Sequence, residues 1–115
     1  MIQVGDIYLV EVAFEDDPSK SKPRPVVIID VDKNNNVTFL AISEITSQSP
    51  SNPPKYYDQF KSPINKWKQA GLDKMSYVKT HKISAIQDRE LKRYLGKMEF
   101  EDLYRAIEKI KDNLK

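Results

Sequence analysis

Cysteine is absent from the 115 residues, and histidine occurs once, at position 81. The first absence excludes disulfides and thiolate metal sites, and the second excludes both a histidine metal cluster and a pair of histidines sharing acid and base work. Any metal chemistry would have to rest on carboxylates. No apolar stretch approaches the roughly 20 residues that a membrane-spanning helix needs. The chain opens directly into an alternating strand with no basic, apolar leader, so the cytoplasm is the default expectation. A large excess of one charge is also missing. Nineteen lysines and arginines against 17 acids leave +2, with 31% charged and 39% hydrophobic residues, the balance of an ordinary soluble protein in which any nucleic-acid contact must be a local patch. The length fits a single domain over residues 1–115. No internal repeat occurs.

Residues 7–14 carry Tyr, Val and Phe in imperfect alternation and read as a first strand. Residues 15–23 follow with acids, serines and lysines and no apolar side chain, an exposed nine-residue loop of the kind that often carries function. A second strand is expected at 25–31. Asp32-Lys33-Asn34-Asn35-Asn36 has the chemistry of a turn, since asparagine tolerates positive φ, and a third strand follows at 37–45. The Ser/Pro/Asn stretch at 46–54 cannot enter a sheet interior. Residues 76–86 resume a strand, 87–95 read as a short helix ended by Gly96, and the C-terminus is clearer still. There Phe100, Leu103, Tyr104, Ile107, Ile110 and Leu114 recur at helical spacing while Glu101, Asp102, Arg105, Glu108 and Lys111 point away, which predicts an amphipathic helix packed on the sheet.

The run Lys22-Pro23-Arg24-Pro25-Val26-Val27-Ile28-Ile29 puts one arginine at the mouth of a buried strand. The flanking prolines hold extended backbone, so the guanidinium leaves a stiffened chain at a defined point. Four β-branched residues without a polar break predict a strand covered on both faces. Between Lys55 and Leu72 the aromatics Tyr56, Tyr57, Phe60 and Trp67 are interleaved with lysines. Such a pattern suits base stacking with phosphate contacts, and it equally suits core rings with a solvated basic rim.

Taken in order, Gly5-Asp6-Ile7-Tyr8, the acidic loop, Arg24-Pro25-Val26-Val27-Ile28, Ile45-Thr46-Ser47, Ala70-Gly71-Leu72 with Ser76-Tyr77-Val78, and Leu95-Gly96 before the last helix resemble the MazF/PemK family. The weight lies in their order and spacing. These are toxins of type II toxin-antitoxin systems, and the resemblance implies a small SH3-like β-barrel with a C-terminal amphipathic helix and two or three short helices in all. It also implies a homodimer, metal-independent cleavage of single-stranded RNA through the 2′-hydroxyl, no cofactor, and inhibition by an antitoxin peptide. The positions tied to cleavage fall on Arg24 and Thr46. Arg24 offers a rigid fork of donors suited to phosphate oxygens and Thr46 one more donor, a pair fitted to stabilising a phosphorane rather than to moving protons. Glu15, Asp16 and Asp17 stand open as loop acids for proton transfer. RNA contact is expected from Lys22, Ser47, Gln48, Lys55, Tyr56, Trp67 and Ser76; Gln48 stands where many members carry a histidine or a basic residue.

Plainer roles stand beside these. Arg24 can be an ion-pair partner of the acidic loop; Thr46 and Ser47 can simply end a strand; Ser76 can bond backbone; His81 can be a surface residue. A non-catalytic RNA-binding or protein-interaction module and a gyrase-directed toxin are the rival functions, since the same barrel serves several roles.

Overall fold

The computed structural model describes residues 1–34 and 36–115; Asn35, within the expected turn, lies outside the described residues. Among the described residues six strands, β1 (Asp6–Ala13), β2 (Ser21–Asn34), β3 (Val37–Thr46), β4 (Lys61–Ile64), β5 (Ser76–Gln87) and β6 (Arg93–Lys97), precede one α-helix, α1 (Phe100–Asn113). They form one antiparallel sheet in the order β4-β5-β3-β2-β1-β6.

The β-branched run of β2 is covered on both faces. Val27 enters a core with Ile7, Ile45, Ile64, Val78, Met98 and Ala106. Its neighbours Val26 and Ile28 enter a second core with Val10, Leu40 and Ile42. Each such side chain contributes roughly 1.5–3 kcal/mol on burial, so this strand ties the two cores together. Register shifts between Ile28 and Asp30 in β2 and between Ser43 and Ile45 in β3 bend the long strands, as bulges do, and the sheet curls.

Four expectations need correction. The barrel does not close by hydrogen bonding: β4 and β6 are the two sheet edges, and no ladder joins them among the described residues. After β4 the amides of Ala70, Gly71 and Leu72 are spent on Lys66, Lys68 and Trp67 carbonyls, so this turn donates nothing to β6. The turn after β4 packs on β6 instead, with Gly71 against Leu95 and Gly96 against Ala70. Residues 87–95 are not a helix but a three-residue 3-10 turn, Asp88–Glu90, followed by β6. Gly96 lies inside that strand, where its missing Cβ is needed for the close approach. The loop after β1 is shorter than expected, because β2 begins at Ser21 and continues beyond Val31 to Asn34. Finally, α1 is turned differently. Phe100 (74%) and Tyr104 (55%) are exposed and stacked on one another, while Asp102 is 2% exposed. Its carboxylate accepts the Lys66 amide at 2.9 Å and the Arg105 guanidinium at 2.9 Å, and that guanidinium also donates to the Pro63 carbonyl. A buried carboxylate paired in this way pins the helix to the chain just after β4.

Residues 47–61 form a separate anchored segment, with a 3-10 turn at Tyr56–Phe60. Asp58 accepts the amides of Ser51 (2.9 Å) and Lys55 (2.8 Å) and pairs with Lys61 at 3.0 Å. These backbone donors, and then Lys61, lower its pKa to about 2. A carboxyl whose pKa falls on folding contributes stability above its unfolded value and loses it as pH drops toward the folded one. Wild type should therefore exceed Asp58→Asn in urea midpoint at neutral pH, and the gap should close between roughly pH 4 and 2. A constant gap across that range in urea titrations would contradict the assignment.

Candidate functional site

The alternation of β1 and β2 sets Arg24 opposite Val10, and β6 sets Arg93 opposite Leu9. At the far end of β3, Thr46 lies opposite Tyr77 of β5. The curl of the sheet gathers these ends around one cleft of about 530 Å³. Lys22, Arg24 and the flanking prolines form one wall, and Thr46 and Ser47 another. Gly71, Leu72, Asp73 and Lys74 line it from the turn before β5, Ser76 from the start of β5, and Arg93, Tyr94 and Leu95 from β6.

Four cations, Lys22, Arg24, Lys74 and Arg93, face this space with one carboxylate, Asp73. None of the five takes part in an ion pair among the described residues, whereas Lys61, Lys82 and Arg105 elsewhere all do. The cleft therefore presents uncompensated positive charge, arranged to take an anion. The Thr46 hydroxyl oxygen accepts the Gln48 amide at 3.1 Å, which leaves its proton available to donate. Ser76 is buried and its hydroxyl donates to the Lys74 carbonyl at 2.9 Å, so its role in the geometry is to fix the turn that carries Asp73 and Lys74.

Arg24 also lines a smaller hollow of about 270 Å³ with Glu15, Asp16, Glu44, Lys79 and Lys82. The loop acids do not hold Arg24. Glu15 is hydrogen-bonded to Lys82, which lowers the Glu15 pKa and is itself raised by that bond. Asp17 turns back on its own loop, accepting from the Ser19 hydroxyl and amide. Asp16 lines the hollow beside Arg24. Lys79 has a lowered pKa, chiefly from burial, with the charges of Lys82 and Arg24 adding to it against Glu44.

Of the residues singled out from the sequence, the structure brings Lys22, Arg24, Thr46, Ser47 and Ser76 to one place, and Gln48, Lys55, Tyr56 and Trp67 do not line that cleft. Trp67 packs against the first core with Lys68 over its ring at 5.5 Å. Tyr56 joins Tyr57 and Phe60 in an aromatic cluster that stacks on His81, with Tyr57 and His81 centroids 5.0 Å apart. Burial, then the charges of Lys79 and Lys82, hold the His81 pKa below its ordinary value. Sequence reading missed Asp73, Lys74, Arg93 and Tyr94. The available signal was position: the first two stand between Leu72 and Ser76, and the last two directly precede Leu95-Gly96, all of them motif residues.

Comparison with known proteins accords with this fold. A toxin of Mycobacterium tuberculosis, MazF-mt6, superposes with a TM-score of 0.66 at 18% identity, covering 95% of each chain. An endoribonuclease in complex with its cognate antitoxin from Mycobacterial species also superposes at 0.66, with 15% identity over 97% of this chain and 96% of that one. At these identities the likeness establishes the fold. A comparison with curated proteins returns no match. The family model described as PemK-like, MazF-like toxin of type II toxin-antitoxin systems matches residues 3–114, and the chain belongs to that family.

Proposed function

We propose that this toxin is an endoribonuclease that cuts single-stranded RNA in the Arg24 cleft without a metal. The observation that carries the reading is the set of four cations, none engaged in an ion pair among the described residues, around a proline-stiffened arginine and a threonine. Lys22 and Arg93 hold flanking phosphates, each contact carrying the salt dependence of phosphate binding. Arg24 and Thr46 take the scissile phosphate. The 2′-hydroxyl gives up its proton to solvent and attacks phosphorus, a phosphorane with extra negative charge forms, and the bond to the 5′-oxygen breaks, leaving a 2′,3′-cyclic phosphate and a 5′-hydroxyl once that oxygen takes a proton from solvent. Arg24 donates through a fixed fork where this charge develops, which stabilises the transition state more than the ground state. Asp73 is the one carboxylate among the described lining residues, and the four cations that share the cleft oppose a divalent metal ion there.

The reading extends to assembly. A single domain over 1–115 works in the cytoplasm as a homodimer, and an acidic antitoxin segment occupies the same cationic cleft, folding as it binds. The curled sheet is then an SH3-like barrel whose seam is closed by glycine packing in place of a ladder. The test is digestion of single-stranded RNA in excess EDTA with end-group analysis. Undiminished cleavage with cyclic-phosphate and 5′-hydroxyl ends is expected; magnesium-dependent cutting that leaves 5′-phosphates would overturn the mechanism. Intact RNA under all conditions would favour a non-catalytic RNA-binding module.

A further inference from the structure

Asp73 sits against the charge logic of its surroundings. It is exposed, it lines a cleft otherwise furnished with cations, and it pairs with none of them among the described residues. A carboxylate there repels the phosphates that the same cleft collects. It lowers affinity for a polyanion unless it accepts hydrogen bonds from that ligand, and in single-stranded RNA the donors remote from phosphate are the base edges. The turn is held on both sides of Asp73. The Leu72 amide donates to the Trp67 carbonyl at 3.0 Å, and Ser76 clamps the Lys74 carbonyl at 2.9 Å. Across the seam, where Gly71 touches the Leu95 backbone, Tyr94 offers a ring that is 53% exposed and steadied edge-on by Tyr8, 5.3 Å between centroids.

Resting on the reading of this cleft as an RNA site, we infer that Asp73 and Lys74 read a guanine in the cleaved sequence. Two carboxylate oxygens match two adjacent donors, and guanine alone presents these on its Watson–Crick edge, at N1–H and the N2 amino group. Its neighbouring O6 is an acceptor, met by the Lys74 ammonium. Adenine and cytosine set an amino donor beside a ring-nitrogen acceptor that opposes the second carboxylate oxygen; uracil sets one N–H between two carbonyls. Tyr94 supplies the stacking surface for the base so held.

The test is digestion of a randomised single-stranded RNA pool by wild type and Asp73→Asn, with sequencing of the cut ends. Wild type should select guanine at one fixed offset from the cut by about tenfold, in keeping with a bidentate base contact. Asparagine keeps the shape but offers one acceptor and one donor, so Asp73→Asn should move the preference at that offset to adenine or cytosine. In a selected substrate, inosine in place of that guanine removes only the N2 amino group; it should slow wild type and leave Asp73→Asn nearly unaffected. Wild-type cuts without a fixed guanine, or a guanine preference unchanged in Asp73→Asn, would overturn the inference. Should wild type leave the pool intact, the catalytic reading fails separately. Sequencing of RNA retained on immobilised protein then decides: guanine enrichment by wild type but not Asp73→Asn supports the inference, and its absence overturns it.

Discussion

Arg24→Ala should fold like wild type and lose RNA cleavage by about a hundredfold or more, the scale of losing one fixed donor to a developing oxyanion, ~3 kcal/mol. Folding should survive because the side chain lines the cleft and takes part in no ion pair among the described residues; surface changes of that kind fall within about 0.5 kcal/mol. The prolines on either side keep the extended backbone in the variant. The loss should appear mainly in kcat. Lys22 and Arg93 still collect phosphates, so RNA binding weakens much less than turnover. Arg24→Lys should also be impaired, because an ammonium retains the charge and loses the fork. Wild-type turnover in Arg24→Ala, measured by single-turnover cleavage with thermal melting as the folding control, would remove Arg24 from the chemistry.

The contrast between Arg24 and the aromatic segment shows how much of this molecule was legible beforehand. Strands β1, β2, β3 and β5 were readable because their burial follows from their own side chains: the unbroken Val26, Val27, Ile28, Ile29 run needs cover on both faces wherever it lies. Strands β4 and β6 were not. Each is a short edge strand whose pairing is decided by a distant partner rather than by its own periodicity. That misreading spread to Gly96, which has the look of a helix terminator and in fact serves a backbone contact. On α1 the 3.6-residue period was right and the orientation partly wrong, since spacing cannot say that Asp102 will find Lys66 and Arg105 and be buried, leaving Phe100 and Tyr104 outside.

The cleft follows the same division. Lys22, Arg24, Thr46, Ser47 and Ser76 come together at the cleft because they lie in motifs borne by or next to readable strands, and Arg93 and Tyr94 escaped notice because they arrive on β6. Tyr56 and Lys55 are close to Thr46 in sequence, and proximity along the chain misled. The segment that holds them leads into β4, whose Lys61 lies opposite Lys79, and there the rings stack on His81, outside the cleft lining.

Gly96→Ala should strongly destabilise the fold at the contact between β6 and the turn after β4. A Cβ at this position would stand 2.2 Å from the Ala70 carbonyl oxygen, 2.7 Å from its carbon and 3.2 Å from the Gly71 Cα. All three are backbone atoms, so no side chain can swing aside and the seam between β6 and this turn must open. Overpacking against a rigid neighbour costs about 3 kcal/mol, which for a chain of this size lowers Tm by roughly 10–15 °C. Gly71→Ala meets the Leu95 carbonyl oxygen at 2.0 Å and adds the strain of φ +88°, a further ~1 kcal/mol. Because Gly71 presses on the Leu95 backbone of β6 and Gly96 on the Ala70 backbone of the turn after β4, opening the seam for one alanine makes room for the second. The double variant should then cost clearly less than the sum of the singles. Activity should fall well below the melting range, since Leu72 and Leu95 border the cleft on either side of this seam. Thermal melts of the three variants with cleavage assays at low temperature provide the measurement; a wild-type Tm in Gly96→Ala would show that β6 and this turn do not meet here.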